Sequence, residues 1–291
     1  MGVLSSIFLW LSPHSDFSRT WFPPASTYEP ERMPDQTGKA AIVTGANVGV
    51  GYHTARYLHL KGARVYVATR SQEKGLAEVE SLWQDVKEKG ATGQVIWLQL
   101  DLAGLDSVKK AAEEFKQKEK ELDLLFCRAG VMVPPVGELT QQGFDLQLGT
   151  NVVGHYLFSI LLGGLKRDKA VKSWGIRKTA PWRLYGQSKL GNVWVARILQ
   201  QELSEEGVSM AARPGGLKTE LGRSMPSWQS AILSLVLYPA HMGARTQLWG
   251  ATSPRELPLA ARCAFLGFLY PWARVGQADP RSKIEARQAA P

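Results

Sequence analysis

Tyr185 and Lys189 stand four positions apart in Tyr185-Gly186-Gln187-Ser188-Lys189, a spacing that sets a phenol and an ammonium on one face of a helix. An ammonium beside a phenol stabilises the phenolate, so the pair can exchange a proton with the oxygen of an alcohol or a ketone. Any amphipathic helix can carry such a pair by accident. Its weight comes from a second constellation upstream, Thr44-Gly45-Ala46-Asn47-Val48-Gly49-Val50-Gly51, where three glycines lie between an apolar run and a helical stretch. Without Cβ atoms the backbone N–H groups can close on a pyrophosphate, with the positive end of the helix dipole behind them. Gly45, Asn47, Val48, Gly49, Val50 and Gly51 are therefore candidate phosphate contacts. The plainer alternative is a tight turn with close helix packing.

The spacing G-x-x-x-G-x-G departs from the dinucleotide fingerprint G-x-G-x-x-G. No Gly-Lys-Ser/Thr follows, which excludes a P-loop kinase or ATPase. At the end of the next apolar run, where an NAD-binding fold places an acid for the ribose 2′-hydroxyl, the chain has Thr69-Arg70. Arg70 can pair bidentately with a 2′-phosphate, which favours NADP (NADPH) as cofactor, although a solvated surface arginine reads the same way.

The elements that must position these residues follow from periodicity. Ala40–Thr44 is a continuous apolar run fit for a strand covered on both faces, and a helix is expected to end near Leu60. Strands are expected at 64–69, 94–100 and 122–126, with charged helical stretches at 72–89 and 106–120 between them. A long apolar helix is expected over 151–165, another helix over 190–203, and a strand over 207–212. This β-α-β-α-β order implies a parallel sheet with right-handed crossovers. Apolar segments at 230–238 and 259–270 have helix-like length and could line a substrate pocket or simply fill the core.

The chain has 291 residues, 44% of them hydrophobic, and a formal net charge of +9, enough for one large α/β domain with a preference for anionic ligands. Its basic residues are scattered and not interleaved with aromatics, so no nucleic acid partner is expected. Cys127 and Cys263 lack metal-ligand spacing, so no metal and a reducing, cytoplasmic compartment are expected. The run Ile7–Leu11 is too short to span a bilayer, and Gly2 with Ser6 fits a loose myristoylation pattern that by itself anchors weakly. Membrane contact is thus not supported. The organisation expected is an irregular N-terminal arm (1–37), a nucleotide-binding domain (38–276) and a polar, basic tail (277–291).

Taken in order, TGANVGVG (44–51), LDL (100–102), AGVM (129–132), NVVGHY (151–156), YGQSK (185–189) and RPGGLKTEL (213–221) resemble the short-chain dehydrogenase/reductase (SDR) family, in particular its retinol-dehydrogenase-like fungal and animal members. The resemblance implies an α/β, Rossmann-type doubly wound sheet with helices on both faces, NADP over the strand C-termini, and hydride transfer to or from a carbonyl or alcohol of a small lipophilic substrate. A setting in secondary metabolism and assembly into a homo-oligomer go with it. It further implies that Tyr185 is the proton donor or acceptor, that Lys189 binds the nicotinamide ribose and lowers the Tyr185 pKa, and that Asn151 organises its helix and a relay water. Asp101 would bind adenine, Ala129 and Gly130 would line the cofactor, and Leu217 and Thr219 would contact nicotinamide and phosphate. Asp101 and Asn151 read equally well as capping residues.

Three departures stand out. The family's fifth strand, ending in the serine that polarises the substrate oxygen, has no counterpart in Lys166–Leu184, KRDKAVKSWGIRKTAPWRL. Ser173 lies twelve positions before Tyr185, near the family's spacing, but between Lys172 and Trp174. The expectation is a central fifth strand that is missing or shortened, with a degenerate, non-catalytic nucleotide-binding homologue as the alternative. Second, Cys127-Arg128 replaces the family's Asn-Asn, so Arg128 brings a charge to the cofactor wall where a phosphate is one partner for it. Third, after Pro271–Gly276 the family's acidic terminal helix gives way to a basic stretch.

Overall fold

Alternation along two buried strands builds the core. On β1 (Ala40–Thr44), Ala41 and Val43 face one layer while Ala40 and Ile42 face the other; on β2 (Arg64–Thr69), Val65 and Val67 face the first layer and Tyr66 and Ala68 the second. Side chains of period two on a sheet covered on both faces require this. The computed structural model describes residues 20–87, 92–163, 180–203, 207–219, 237–253 and 268–276. One layer joins Ala55 and Leu58 of α1 (Gly49–Leu60), Leu82 of α2 (Gln72–Lys87) and Leu248 of a late helix to the sheet. The other brings Val108 and Phe115 of α3 (Leu105–Lys118) and Phe158 of a later helix against it.

With β3 (Gln94–Gln99) and β4 (Leu124–Phe126) the sheet has the order β3-β2-β1-β4, all parallel. The strand order turns at β1, so a crevice opens between the carboxyl ends of β1 and β4. This is the α/β, Rossmann-type architecture expected. Among the described residues β4 bonds only to β1. The short strands β5 (Ala211–Ala212), β6 (Phe268–Tyr270) and β7 (Arg274–Gly276) form a separate sheet, in which β6 runs parallel to β5 and antiparallel to β7. Ser173 and residues 164–179, where the fifth strand would fall, lie outside the described residues, as do 1–19 and 277–291.

Several expected elements shift. The apolar helix begins earlier and is not uniform: α4 (Leu146–Leu148), capped by Asp145, runs through a π-helical turn at Gly149–Val153 into α5 (Gly154–Gly163). Helix α6 spans Pro181–Glu202, longer than the expected 190–203, because Pro181 sits at its first position, where a missing N–H costs nothing. Most of the apolar segments at 230–238 and 259–270 lie outside the described residues; the last three residues of the second form a strand, and α7 (Ala240–Thr252) packs against α1. The arm from Thr20 to Thr37 is largely irregular, yet Tyr28 and Met33 are part of the core and Glu29 pairs with Arg245 at 2.7 Å.

Candidate functional site

The turn after β1 is shaped by contacts that side chains would block. Gly45 and Gly49 hold φ of 63° and 59°, in the left-handed region. A Cβ on Gly45 would come within 2.8 Å of the Ala129 Cα, and one on Gly51 would strike the Gly45 carbonyl. Gly49 opens α1 behind Val48, whose side chain offers no cap, so the first-turn amides of α1 face the turn without a side-chain acceptor. Asn47 and Val48 are partly exposed on the loop, whereas Val50 turns inward to Leu217 and α7. Thr219 closes the turn from the far side, its methyl 3.3 Å from where a Gly49 Cβ would be.

Thr44, fully buried at the end of β1, ties the turn to the β4 loop. Its Oγ1 accepts the N–H groups of Arg128 (2.8 Å) and Ala129 (2.9 Å). It lies 2.9 Å from His155 Nε2, while His155 Nδ1 lies 3.2 Å from the Asn151 carbonyl. That carbonyl can only accept, so Nδ1 carries the proton and Thr44 donates to Nε2. Burial first, then the positive charges of Lys189 and Arg128, push His155 down to about 4 against a hydrogen bond to Asn151 that raises it. The imidazole is therefore neutral at pH 7.

Asn151 sits in the π turn, a wide turn of the sort found at functional sites. Its side chain clamps the β4 loop, accepting from Val131 N (2.8 Å) and donating to Val131 O (2.9 Å) and to Ser188 Oγ (3.1 Å). Ser188 Oγ in turn donates to the Tyr185 carbonyl at 2.8 Å. A Cβ on Gly130 would lie 2.8 Å from Asn151 Oδ1, so a larger residue there would unseat the clamp. Contacts thus run unbroken from the glycine turn through Ala129, Val131, Asn151 and Ser188 to Tyr185.

On α6 the Lys189 ammonium lies 5.1 Å from the centre of the Tyr185 ring, over its face. Burial raises the Tyr185 phenol above its ordinary value, and the opposing pull comes from Arg128. Lys189, expected to lower the phenol, is not among the groups that shift it, and burial outweighs the pull of Arg128. Lys189 itself is pushed down to about 8, by burial first and by Arg128 second, with part of the side chain still open to solvent. Arg70 and Asp101 follow β2 and β3 and so stand on the same edge of the sheet as the glycine turn. Arg70 is exposed and makes no ion pair with any described residue, whereas Asp101 Oδ1 accepts from Ala103 N at 3.0 Å as a turn acid, leaving Oδ2 available. Leu217 bridges to Tyr238 and packs against Gly243 of α7.

Thr44 and His155 were not singled out from sequence. The signal was there: a hydroxyl ends an otherwise apolar buried strand, and an imidazole lies one helical turn after Asn151. Among the described residues no group of three or more metal-ligating side chains occurs and no helix is long and apolar enough to cross a membrane.

The short chain dehydrogenase family model matches residues 39–230. A short-chain dehydrogenase/reductase of Armillaria gallica is 39% identical over 88% of this chain and 89% of its own length, and one of Emericella nidulans is 34% identical over 87% and 89%. Among solved structures, an uncharacterized protein from Mycobacterium paratuberculosis superposes with TM-score 0.58 at 28% identity over 79% of this chain and 82% of its own. A blue fluorescent protein from a metagenomic library, solved with NADPH, superposes with TM-score 0.58 at 24% identity over 75% and 90%. On this sequence similarity, and with the fold in accord, the chain belongs to the short-chain dehydrogenase/reductase family of oxidoreductases.

Proposed function

We propose that the protein is an NADP-dependent reductase or dehydrogenase for a carbonyl or alcohol on a small lipophilic substrate. The observation that supports this reading is the continuous contact path from the glycine turn to the Tyr185 main chain, which ties the proposed nucleotide cradle to the helix that carries Tyr185 and Lys189. The cradle fits a dinucleotide: two left-handed glycines, an uncapped helix N-terminus, Thr219 across the turn and the exposed Arg70 for a 2′-phosphate.

In this reading Gly45, Gly49 and Gly51 bring backbone N–H groups to the pyrophosphate, and Asp101 and Arg70 take the adenine half. Lys189, Leu217 and Thr219 take the nicotinamide half. The bound nicotinamide supplies or accepts a hydride. Tyr185 gives its phenolic proton to the carbonyl oxygen in reduction, or takes it back in oxidation. Asn151 fixes the loop and α6 relative to each other, and neutral His155 holds Thr44, hence the start of the turn.

NADPH oxidation with a panel of lipophilic ketones tests the reading. Tyr185→Phe should retain NADPH binding and lose on the order of 10²- to 10⁴-fold in rate. A rate unchanged by that substitution would refute it. A second reading, nucleotide binding without turnover, is favoured by β4 lacking a second strand neighbour among the described residues; saturable NADPH binding with no ketone reduced would select it.

A further inference from the structure

Trp182, Tyr185 and Lys189 stand three and four positions apart on α6, which sets them in a row on one face of the helix. The Lys189 ammonium lies over the Tyr185 ring at 5.1 Å, on its C-terminal side. From the N-terminal side the Trp182 indole meets the same ring edge to face, with centres 6.4 Å apart and planes at 89°. The indole is 51% exposed, in the first turn after Pro181. A lone exposed tryptophan is ordinary on a protein surface. This one touches the phenol, so its open face is apolar area that α6 offers beside the proposed proton donor. The base of that turn is clamped from within. Gln147, 1% exposed, accepts from Val133 N at 3.0 Å and donates to Pro181 O at 3.2 Å, which ties the loop after β4 to the residue preceding Trp182. Val133 holds φ of 53°, a left-handed backbone that a β-branched residue adopts only under constraint.

We propose that Trp182 is the specificity-determining residue on the substrate side of Tyr185, and that it stacks against a flat, unsaturated ring joined to the reacting carbonyl. The inference rests on the reading of Tyr185 as the proton donor. The two sides of the phenol differ in chemistry, cationic toward Lys189 and apolar and aromatic toward Trp182. A polar cofactor belongs on the first side, which leaves the second for the body of the substrate. An indole offers a rigid flat face on the order of 200 Å², and ring against ring in an offset or edge-on arrangement gains more than area alone. A flexible alkyl chain on the same face gains only the area and gives up rotamer freedom to lie there. The substrate class is therefore aryl or conjugated cyclic ketones and their alcohols, in preference to open-chain aliphatic ones.

The test reads binding without turnover, so its failure and the failure of the proposed activity are separable. Naphthyl methyl ketone and the straight-chain methyl ketone of equal carbon number are each brought to equilibrium dialysis against the chain with NADP⁺, which cannot reduce either. The naphthyl ketone should bind more tightly than the alkyl one. Trp182→Ala should weaken the naphthyl ketone about tenfold or more and the alkyl ketone by less than about threefold, while Trp182→Phe keeps most of the preference. Equal losses for both ketones, or none, would make the indole a general apolar wall or a surface residue and overturn the proposal. So would a chain that binds the alkyl ketone as tightly as the naphthyl one, or that binds no naphthyl ketone. Should Trp182→Ala not fold, Trp182→Leu decides, since it keeps apolar bulk without a flat face: a lost preference supports the stacking role, and a retained one overturns it. Ring preference with no NADPH oxidised would leave the binding role of Trp182 standing and refute turnover alone.

Discussion

At the scale of single residues, the site is held by neutral groups that must stay neutral. His155 is buried, donates to the Asn151 carbonyl through Nδ1 and accepts from Thr44 through Nε2, an arrangement that protonation of Nε2 destroys. Its folded value of about 4 lies below the ordinary 6.5, so between these values the unfolded chain binds more protons than the folded one. Stability from this group is then fully present above pH 6.5 and is lost as pH falls toward 4, of order 3 kcal/mol in all. Denaturant unfolding at pH 7 and pH 5 should show the chain weakening on acidification. His155→Asn should be less stable at pH 7 but should lack that part of the acid slope. An equal slope in both proteins would show that His155 does not titrate on unfolding.

At the scale of elements, the glycine turn is specified twice, by its dihedral angles and by the space it leaves. Gly45→Ala meets both objections, a left-handed φ of 63° and a Cβ pressed to 2.8 Å against the Ala129 Cα, which is backbone and cannot swing away. Gly38→Ala meets only the first, since its φ is 85° but nothing lies within 4 Å of the added carbon. Both should lose about 1–2 kcal/mol of stability to the left-handed backbone. Only Gly45→Ala should weaken NADPH binding, by about tenfold or more if the displaced loop costs the nucleotide about 1.4 kcal/mol. Nucleotide fluorescence titrations of the two variants decide it, and equal affinities would mean that the turn is not the phosphate site.

Strands were the most legible elements in the sequence, because a buried parallel strand is a plain apolar run: β1 and β2 match the expected 40–44 and 64–69. The chemistry-bearing residues were legible too, since Tyr185, Lys189 and Asn151 each sit on a helical face with fixed spacing. The π turn was not, because a single wide turn leaves hydrophobic periodicity nearly intact. Nor was the strand ending at Tyr270, whose pairing with Ala211–Ala212 is set by distant sequence.

At the scale of the whole molecule, the second sheet is joined to the first by helix α7 and by the arm that precedes β1. Trp272 N donates to Thr246 Oγ1 at 2.7 Å and its ring packs edge-on to Tyr238 at 4.7 Å, fixing the β6–β7 turn on α7. From the arm, the Pro24 and Ala25 carbonyls accept from Arg274, Thr20 Oγ1 accepts from Arg213, and Trp21 covers Gly216 next to Leu217. The arm therefore braces the Arg213–Thr219 segment that the proposed site uses. Met33, 2% exposed, is its deepest apolar anchor, so Met33→Ala should cost about 2–5 kcal/mol. Glu29→Gln, which breaks a half-exposed ion pair, should cost no more than about 1 kcal/mol. Because the arm's polar contacts run to α7 and the second sheet, hydrogen exchange in Met33→Ala should speed up in 240–252 and 268–276 more than in β3, the far edge of the first sheet. Equal acceleration across both sheets would mean that the chain opens as one cooperative unit and that the arm is not a local brace.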